Sequence, residues 1–192
     1  MKSIRLFTAA ISLMTLASCR PAAPTGENPL LGAWETPYGV PPFDKIEPAH
    51  FMPAFERAMS LHDAEIDAIV TNHDEPTFDN VIAAYDRSGQ LLAQVGLVFG
   101  MLCEAESNEE LRALQEQVMP LAAAHADKIG MNEALFAKVK SVYDRRGTFD
   151  LDADRSRLLE KTYRGFVRSG ALLDAEQKER LKAINEELAL LS

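Results

Sequence analysis

The sequence predicts an all-α protein, and the pattern of apolar residues is the main reason. From residue 48 onward, apolar side chains recur at the period of an α-helix, and residues that begin or end helices separate these runs. No segment keeps the apolar–polar alternation with β-branched residues that is typical of strands. A chain of 192 residues can bury one sizeable core or two small ones without disulfides or metals. We therefore expect a multi-helix domain over residues 48–192.

The first main helix carries a clear apolar face. At the helical period, one side of it presents Phe51, Phe55, Met59 and Ile66. Pro53 falls in the expected first turn, where its missing N–H group is harmless. These positions predict a helix that begins close to residue 50.

A second, long helix is predicted from Thr77 to about Leu102. Thr77 can cap its first turn, because a threonine side chain accepts a hydrogen bond from a free backbone N–H group. The segment contains Gly89, Gly96 and Gly100. Glycine lowers helix propensity, so we expect these three positions to permit close packing between helices.

Capping residues predict the next two helices. Ser107 and Glu110 have the spacing of a capping box, and the helix that they open is expected to kink at Pro120. Asn132 begins a shorter helix that ends near residues 145–147, where two arginines and a glycine form a stop signal.

The last two helices begin at Asp152 and Asp174, and Gly170 closes the first of them. The apolar stripe of the final helix continues through residues 181–191 without a glycine, asparagine or proline stop signal. A helical domain usually ends with such a signal. We therefore expect residues 48–192 to be the front portion of a larger domain.

Composition excludes two classes of protein. The chain has 20 Lys+Arg against 29 Asp+Glu, a formal net charge of −9, whereas nucleic-acid binding requires a basic surface. We expect no nucleic-acid partner. The two cysteines, Cys19 and Cys103, are too few for a disulfide-rich scaffold or a four-cysteine zinc site.

Residues 1–18 have the pattern of an export signal. A positively charged start is followed at residues 6–16 by an uncharged apolar stretch, which is shorter than the roughly 20 residues that a membrane span needs. The sequence LASC at positions 16–19 resembles the lipobox of bacterial lipoproteins, in which the signal is removed and the cysteine carries the lipid. A plain secretory signal with an incidental cysteine is the alternative.

The lipobox predicts an exported protein that is anchored through Cys19 and faces the periplasm. Arg20 follows this cysteine, in place of the aspartate that retains enterobacterial lipoproteins in the inner membrane, so we expect the outer membrane. Residues 19–47 are rich in proline and predict an extended tether and lead-in. Trp34, Tyr38 and Phe43 indicate that its later half lies against a folded body.

Histidines supply the nearest approach to a metal site. His62 and Glu65 lie three residues apart and share one helix face, but zinc needs three or four ligands. His50 and His73 could join them only if loops fold back. We therefore favour a solvated helix-surface position for His62, and a helix position with one satisfied nitrogen for His125.

Nucleophilic and cofactor-dependent chemistry have no signal in the sequence. Cys103 has no histidine near it and lies on the apolar side of a helical segment, which favours a small buried residue. Neither a G-x-S-x-G turn nor a phosphate-binding glycine loop is present. From the residues alone we assign no catalytic, cofactor-binding or metal-ligating position.

One basic stripe stands out from the acidic background. It consists of Arg157, Lys161, Arg164 and Arg168, which recur at helical spacing. A solvated helix face with i, i+4 ion pairs is the favoured interpretation. The alternative is that the stripe meets acidic groups elsewhere, in another part of the protein or at the C-terminal carboxylate of a peptide.

Several segments resemble one family of enzymes. In order along the chain they are residues 28–31 (NPLL), 42–55 (PFDKIEPAHFMPAF), 76–82 (PTFDNVI), 128–146 (KIGMNEALFAKVKSVYDRR), 157–173 (RLLEKTYRGFVRSGALL) and 180–192 (RLKAINEELALLS). They resemble the opening of the thimet-oligopeptidase-like zinc metallopeptidases, the group that contains bacterial peptidyl-dipeptidases (dipeptidyl carboxypeptidases) and oligopeptidase A. The resemblance runs from residue 28 to residue 192.

The resemblance implies a nearly all-helical fold with a channel between two halves, in which the N-terminal helices form part of the channel wall. It also implies one zinc ion, held by an HExxH motif and a more distal glutamate, with oligopeptides as substrates and C-terminal dipeptides as products in the dipeptidase branch. This sequence contains no HExxH motif. No catalytic or metal residue of the family therefore transfers to a position here.

The sequence leaves two functions open. The first is the N-terminal fragment of a lipid-anchored zinc metallopeptidase, monomeric and inactive alone. The second is a self-standing helical lipoprotein that acts as a peptide-binding or scaffold module.

Overall fold

The computed structural model describes residues 27–105 and 108–191, and this part of the chain contains helices and loops with no strand. The α-helices of the described residues are α1 (Phe51–Thr71), the short α2 (Ala83–Arg87), α3 (Gln90–Ala105), α4 (Glu109–Gly130), α5 (Glu133–Asp144), α6 (Ala153–Arg168) and α7 (Ala175–Leu190). The all-α prediction is confirmed for the described residues. The predicted signal segment and Cys19 lie outside them.

Side-chain caps explain where the later helices begin. Asn132, Asp152 and Asp174 each accept a hydrogen bond from the third backbone N–H group of their helix, at 2.8 to 2.9 Å. Such a cap contributes about 1 kcal/mol, since it satisfies a donor that the helix itself cannot. The predicted starts of α5, α6 and α7 are therefore confirmed. Helix α4 instead takes Asn108 as its cap, one residue after the predicted Ser107.

The predicted single helix from Thr77 to Leu102 is wrong, because the chain turns at Gly89. Thr77 does cap the segment, since its hydroxyl accepts from the Asn80 N–H group at 3.2 Å. A π-helical turn, Phe78–Ile82, then leads into α2. Gly89 has φ +70°, in the left-handed region that favours glycine, and it separates α2 from α3.

The prediction that all three glycines permit close packing holds only for Gly89. A Cβ atom on Gly89 would lie 2.8 Å from Cε1 of His62, so the missing side chain makes room for the imidazole. A Cβ atom on Gly96 or Gly100 would meet no atom within 4 Å. These two glycines therefore weaken α3 without allowing a closer contact.

The run Phe78–Ala105 is the stretch of the described chain that is long and apolar enough to cross a membrane. Core helices of water-soluble proteins have the same length and composition. In this fold the turn at Gly89 divides the run into two pieces.

The apolar side chains form two separate clusters. Core A lies among α1, the π-helical turn, the end of α4, α5 and α6. Its large members are Ile66, Ile69, Phe78, Val81, Ile82, Ile129, Leu135, Phe136, Val139, Val142, Leu159 and Phe166. Core B lies among the lead-in, α1, α3 and α4, and contains Leu30, Phe51, Ala54, Phe55, Val95, Val98, Phe99, Leu111 and Val118. The chain thus uses two small cores, one of the two arrangements that its length allows.

The lead-in to α1 is anchored to core B in part. Leu30 is fully buried, and the indole N–H of Trp34 donates to the Pro29 carbonyl at 2.9 Å while its ring packs on the core. Tyr38, by contrast, is fully exposed and has φ +62°. The prediction that the aromatic residues lie against the folded body is therefore confirmed for Trp34 and wrong for Tyr38.

Candidate functional site

His62 and His125 meet where α1 packs against α4. His62 lies in the middle of α1 and His125 in the second half of α4, and His62 Nδ1 is 3.2 Å from His125 Nε2. The rings are tilted by 56°, with their centroids 5.2 Å apart. His125 is 8% exposed. The structure therefore corrects the prediction that His62 is a solvated surface residue.

The hydrogen-bond partners of this pair define the direction of each bond. The Ser88 hydroxyl donates to the Tyr85 carbonyl at 2.7 Å, so its oxygen is available to accept from His62 Nε2 at 3.2 Å. His62 Nδ1 then carries no proton and accepts from His125 Nε2. Each neutral imidazole thus donates one hydrogen bond. His125 on α4 donates to His62 on α1, and His62 donates to Ser88 in the turn after α2.

Charged groups border the histidine pair on two helices. Asp63 Oδ1 lies 3.8 Å from His125 Nδ1 and 2.8 Å from Lys128 Nζ. Glu65 accepts the Gly89 N–H group at 2.7 Å. Burial lowers the pKa of His62, against the opposing charges of Glu65 and Asp63.

The pKa of His125 is lowered as well. Burial is the main cause, Asp63 opposes it, and His62 and Lys128 add to it. Both imidazoles are therefore held in the neutral form more firmly than free histidine. The two imidazoles can accept or transfer a proton. They lie between α1 and α4 and not in a cleft.

The described residues do not form a metal centre. No group of three or more histidine, cysteine, aspartate or glutamate side chains within them is placed to hold a metal ion. His50 lies apart from His62, since its Nδ1 accepts the Glu47 N–H group at 2.9 Å in the turn before α1. His73 is exposed in the loop after α1. The metal-site combination of His62 with Glu65, His50 and His73 is thus not assembled in this part of the chain.

Cys103 has the environment of a packing residue. It is half-buried against core B, and burial raises the pKa of its thiol. A nucleophilic cysteine needs the opposite shift, because the thiolate is the reactive form. The prediction that Cys103 serves packing is consistent with this environment.

The basic stripe on α6 is balanced by an acid within the same helix. Glu160 contacts Arg157 at 3.2 Å and Arg164 at 2.7 Å. Lys161 and Arg168 are exposed. Exposed pairs of this kind contribute at most about 1 kcal/mol. The interpretation as a solvated face with intrahelical ion pairs is therefore confirmed for Arg157 and Arg164.

A cleft of about 870 Å³ lies between α4 and α7. Its wall includes Lys178, which is 8% exposed and donates to Glu133 Oε1 at 2.7 Å. Asp127 and Lys128 on α4 also line it, so the cleft carries charges of both signs. The sequence analysis predicted neither the cleft nor the burial of Lys178. Lys178 stands in the first turn of a helix whose sequence is mostly polar, so it had the pattern of an exposed residue.

Large apolar side chains are exposed on several of the described helices. Leu97 is 67% and Met101 49% exposed, and they lie one turn apart on α3. Leu121 on α4 and Ile184 on α7 are exposed as well. A few isolated apolar residues are normal on a protein surface, whereas neighbouring ones often mark an interface.

The relatives of this chain are peptidases. Dipeptidyl carboxypeptidase of Salmonella typhimurium is 40% identical over 164 residues, which cover 85% of this chain and 24% of that protein. The Escherichia coli dipeptidyl carboxypeptidase is 40% identical over 168 residues, and Escherichia coli oligopeptidase A is 26% identical over 164. The chain is related to the N-terminal portion of thimet-oligopeptidase-like proteins. No protein-family model matches the chain.

The chain spans about a quarter of the length of these thimet-oligopeptidase-like relatives. The matched length equals 85% of this chain or more, so it takes in most of the folded body. The resemblance seen in the sequence is therefore confirmed, including the restriction to an N-terminal portion.

Proposed function

We propose that this chain forms the N-terminal helical part of a zinc-dependent peptidase that hydrolyses oligopeptides and releases C-terminal dipeptides. The observation that carries the proposal is the 40% identity to two dipeptidyl carboxypeptidases over 85% of the chain or more. In this proposal the helices form part of the wall of a substrate channel, and the protein is monomeric.

The chain is inactive alone in this proposal. Its sequence has no HExxH motif. The closest pair of ligands, His62 and His125, is engaged in a mutual hydrogen bond and has no third ligand among the described residues. Zinc therefore does not fit the described side chains, and its ligands would belong to the part of the peptidase that this chain does not contain.

A chimera tests the proposal. The matching segment of the Escherichia coli dipeptidyl carboxypeptidase, 25% of that protein, would be replaced by the 168 residues of this chain that align with it. We expect the chimera to release dipeptides from an N-terminally blocked oligopeptide, to lose this activity with a chelator, and to regain it with zinc. The relative without any N-terminal segment, and this chain alone, are the negative controls.

The exposed apolar side chains of α3 are proposed to pack against the remainder of the peptidase. Leu97 and Met101 lie one turn apart, with about two thirds of Leu97 and half of Met101 exposed. About three quarters of the relatives' length lies outside this chain. Burial of such side chains contributes about 1.5 to 3 kcal/mol each. The double variant Leu97→Gln, Met101→Gln should therefore weaken the chimera's activity and stability, whereas Leu172→Gln, an exposed leucine outside the helices, should change neither.

Lipid anchoring through Cys19 is part of the proposal. It is supported by the charged start, the apolar stretch and the lipobox-like sequence of residues 1–19. The location proposed is the periplasmic face of the outer membrane. Mass spectrometry of the mature N-terminus tests it: a diacylglyceryl group on Cys19 is expected, and an unmodified Cys19 would exclude the anchor. Cys19→Ser should release the protein from the membrane fraction.

A peptide-binding module is the second candidate, and the cleft between α4 and α7 favours it. The cleft is of the size of a small-ligand site and presents Lys128 and Lys182 beside Asp127 and Glu186. These charges could hold the two ends of a short peptide. Titration of the isolated chain with oligopeptides distinguishes the two candidates. Saturable binding by the isolated chain, together with a chimera that releases no dipeptides, would favour the peptide-binding module.

A further inference from the structure

A polar layer separates the two apolar cores. Helix α1 contributes Ala54 and Phe55 to core B on one side of His62, and Ile66 to core A on the other. Helix α4 likewise contributes Val118 to core B before His125 and Ile129 to core A after it.

A third segment, from the π-helical turn through Gly89 to α3, also passes between the two cores, but it runs from core A to core B. The π-helical turn supplies core A, Ser88 and Gly89 stand next, and α3 supplies core B. His62, His125 and Ser88 therefore form one layer at the level where each of three segments passes from one core to the other. We name this the histidine layer.

The histidine layer has room for one added proton but not for two. In the neutral state, His125 Nε2 donates to His62 Nδ1. The other nitrogen of His125, Nδ1, faces Asp63 and can take up the first added proton. A second proton has to enter at His62 Nδ1. Two N–H groups would then point at each other across 3.2 Å, and the bond between α1 and α4 would be lost.

The neighbouring charges set how readily these protons enter. From α1, Asp63 and Glu65 face the pair and favour the charged form. From α4, Lys128 opposes it and also occupies Asp63 at 2.8 Å. The turn before α3 offers the Ser88 hydroxyl and the Gly89 N–H group, neither of which takes up a proton.

We propose that the histidine layer is a pH-sensitive joint that couples core A to core B in its neutral state and loosens when both imidazoles are protonated. The ligand of this device is the proton. The joint goes beyond peptidase membership, since it would make the contact between α1 and α4 at His62 and His125 depend on pH while each core stays folded.

The direction of the pH effect follows from proton binding. Because burial lowers the pKa of both histidines, the folded chain binds fewer protons than the unfolded chain near the ordinary histidine pKa of about 6.5. The stabilisation is full above that pH and is lost as the pH falls below it toward the lowered values.

Amide hydrogen exchange reports on the joint directly. The Gly89 N–H group donates to Glu65 across the layer, so its protection measures local opening, whereas Val98 and Val139 report on core B and core A. Relative to intrinsic exchange, we expect protection at Gly89 to fall about tenfold or more between roughly pH 7.5 and pH 5, and protection in both cores to fall less. An equal fall at all three sites, or none at Gly89, would overturn the proposal.

Two substitutions separate the joint from other titrating groups. His125→Gln keeps a donor near the Nε2 position but cannot take up a proton, so it should abolish the pH dependence at Gly89. His73→Gln, at an exposed histidine, should leave it unchanged. If His125→Gln does not fold, His62→Gln serves the same purpose, and the measurement at Gly89 in the unmodified chain still decides.

Discussion

Gly89 and His62 fit together so closely that a Cβ atom on the glycine would lie 2.8 Å from Cε1 of the imidazole. The glycine has φ +70°, and its N–H group donates to Glu65 on the helix that carries His62. One residue therefore turns the chain between α2 and α3 and makes space for the histidine layer.

We predict that Gly89→Ala destabilises the chain by about 1 to 3 kcal/mol, because it adds left-handed strain and a clash with His62. Urea unfolding followed by circular dichroism measures this. Gly96→Ala is the matched control, since its Cβ atom would meet nothing within 4 Å and alanine favours the helix by about 1 kcal/mol. A destabilised Gly96→Ala, or an unaffected Gly89→Ala, would contradict the packing described here.

The cap of α5 provides a second prediction. Asn132→Ala should lower the free energy of unfolding by about 1 kcal/mol, because the Leu135 N–H group loses its acceptor. Asn132→Asp should retain most of the stability, since a carboxylate caps as well as an amide. Asp150→Ala, in the exposed loop before α6, is the control and should change stability by no more than about 0.5 kcal/mol.

The buried amine of Lys178 gives an asymmetric prediction. Its partner Glu133 is exposed, and the hydrogen bond and charge of Lys178 lower the pKa of that carboxyl group. Glu133→Gln leaves the ammonium group of the largely buried Lys178 side chain without its counter-ion and should lower the thermal midpoint. Lys178→Met removes the charge and keeps the volume, so it should be better tolerated. The opposite ranking in thermal unfolding would show that the pair itself, and not desolvation of the amine, governs this site.

The same pair makes the chain sensitive to acid. Because the folded pKa of Glu133 is lowered, its stabilising contribution is present above the ordinary glutamate value of about 4.3 and is lost as the pH falls through the folded pKa. The difference in unfolding midpoint between the unmodified chain and Glu133→Gln should therefore shrink toward zero once the pH has fallen below the lowered pKa of Glu133. A difference that persists there would contradict an electrostatic origin.

Exposed apolar surface predicts dye binding by the isolated chain. The chain should bind an apolar fluorescent dye such as ANS, because Leu97 and Met101 are exposed side by side on α3. Leu97→Gln with Met101→Gln should lower the fluorescence and change the free energy of unfolding by no more than about 0.5 kcal/mol per site. A monodisperse, cooperatively unfolding chain with no dye binding would argue against an interface on α3.

The sequence predicted the helices more accurately than the turns that join them. Helical periodicity and the caps at Asn132, Asp152 and Asp174 located α5, α6 and α7, since these signals are local. The turn at Gly89 was missed, because a glycine within an apolar run can equally be tolerated inside a helix.

The histidine layer could not be derived from the sequence either. His62 is followed by Asp63 and Glu65, which is the pattern of a solvated face. Its contact with His125 joins residues 63 positions apart and depends on how α1 crosses α4. The apolar neighbours of His125 in the sequence were the one signal that pointed inward, and they did not identify the partner.

Activity of the chimera with the Escherichia coli dipeptidyl carboxypeptidase tests the central claim most directly. If this chain is the N-terminal part of such a peptidase, its 168 matching residues should restore chelator-sensitive dipeptide release to the relative that lacks its own segment. A folded, soluble chimera that shows no such release would contradict the account.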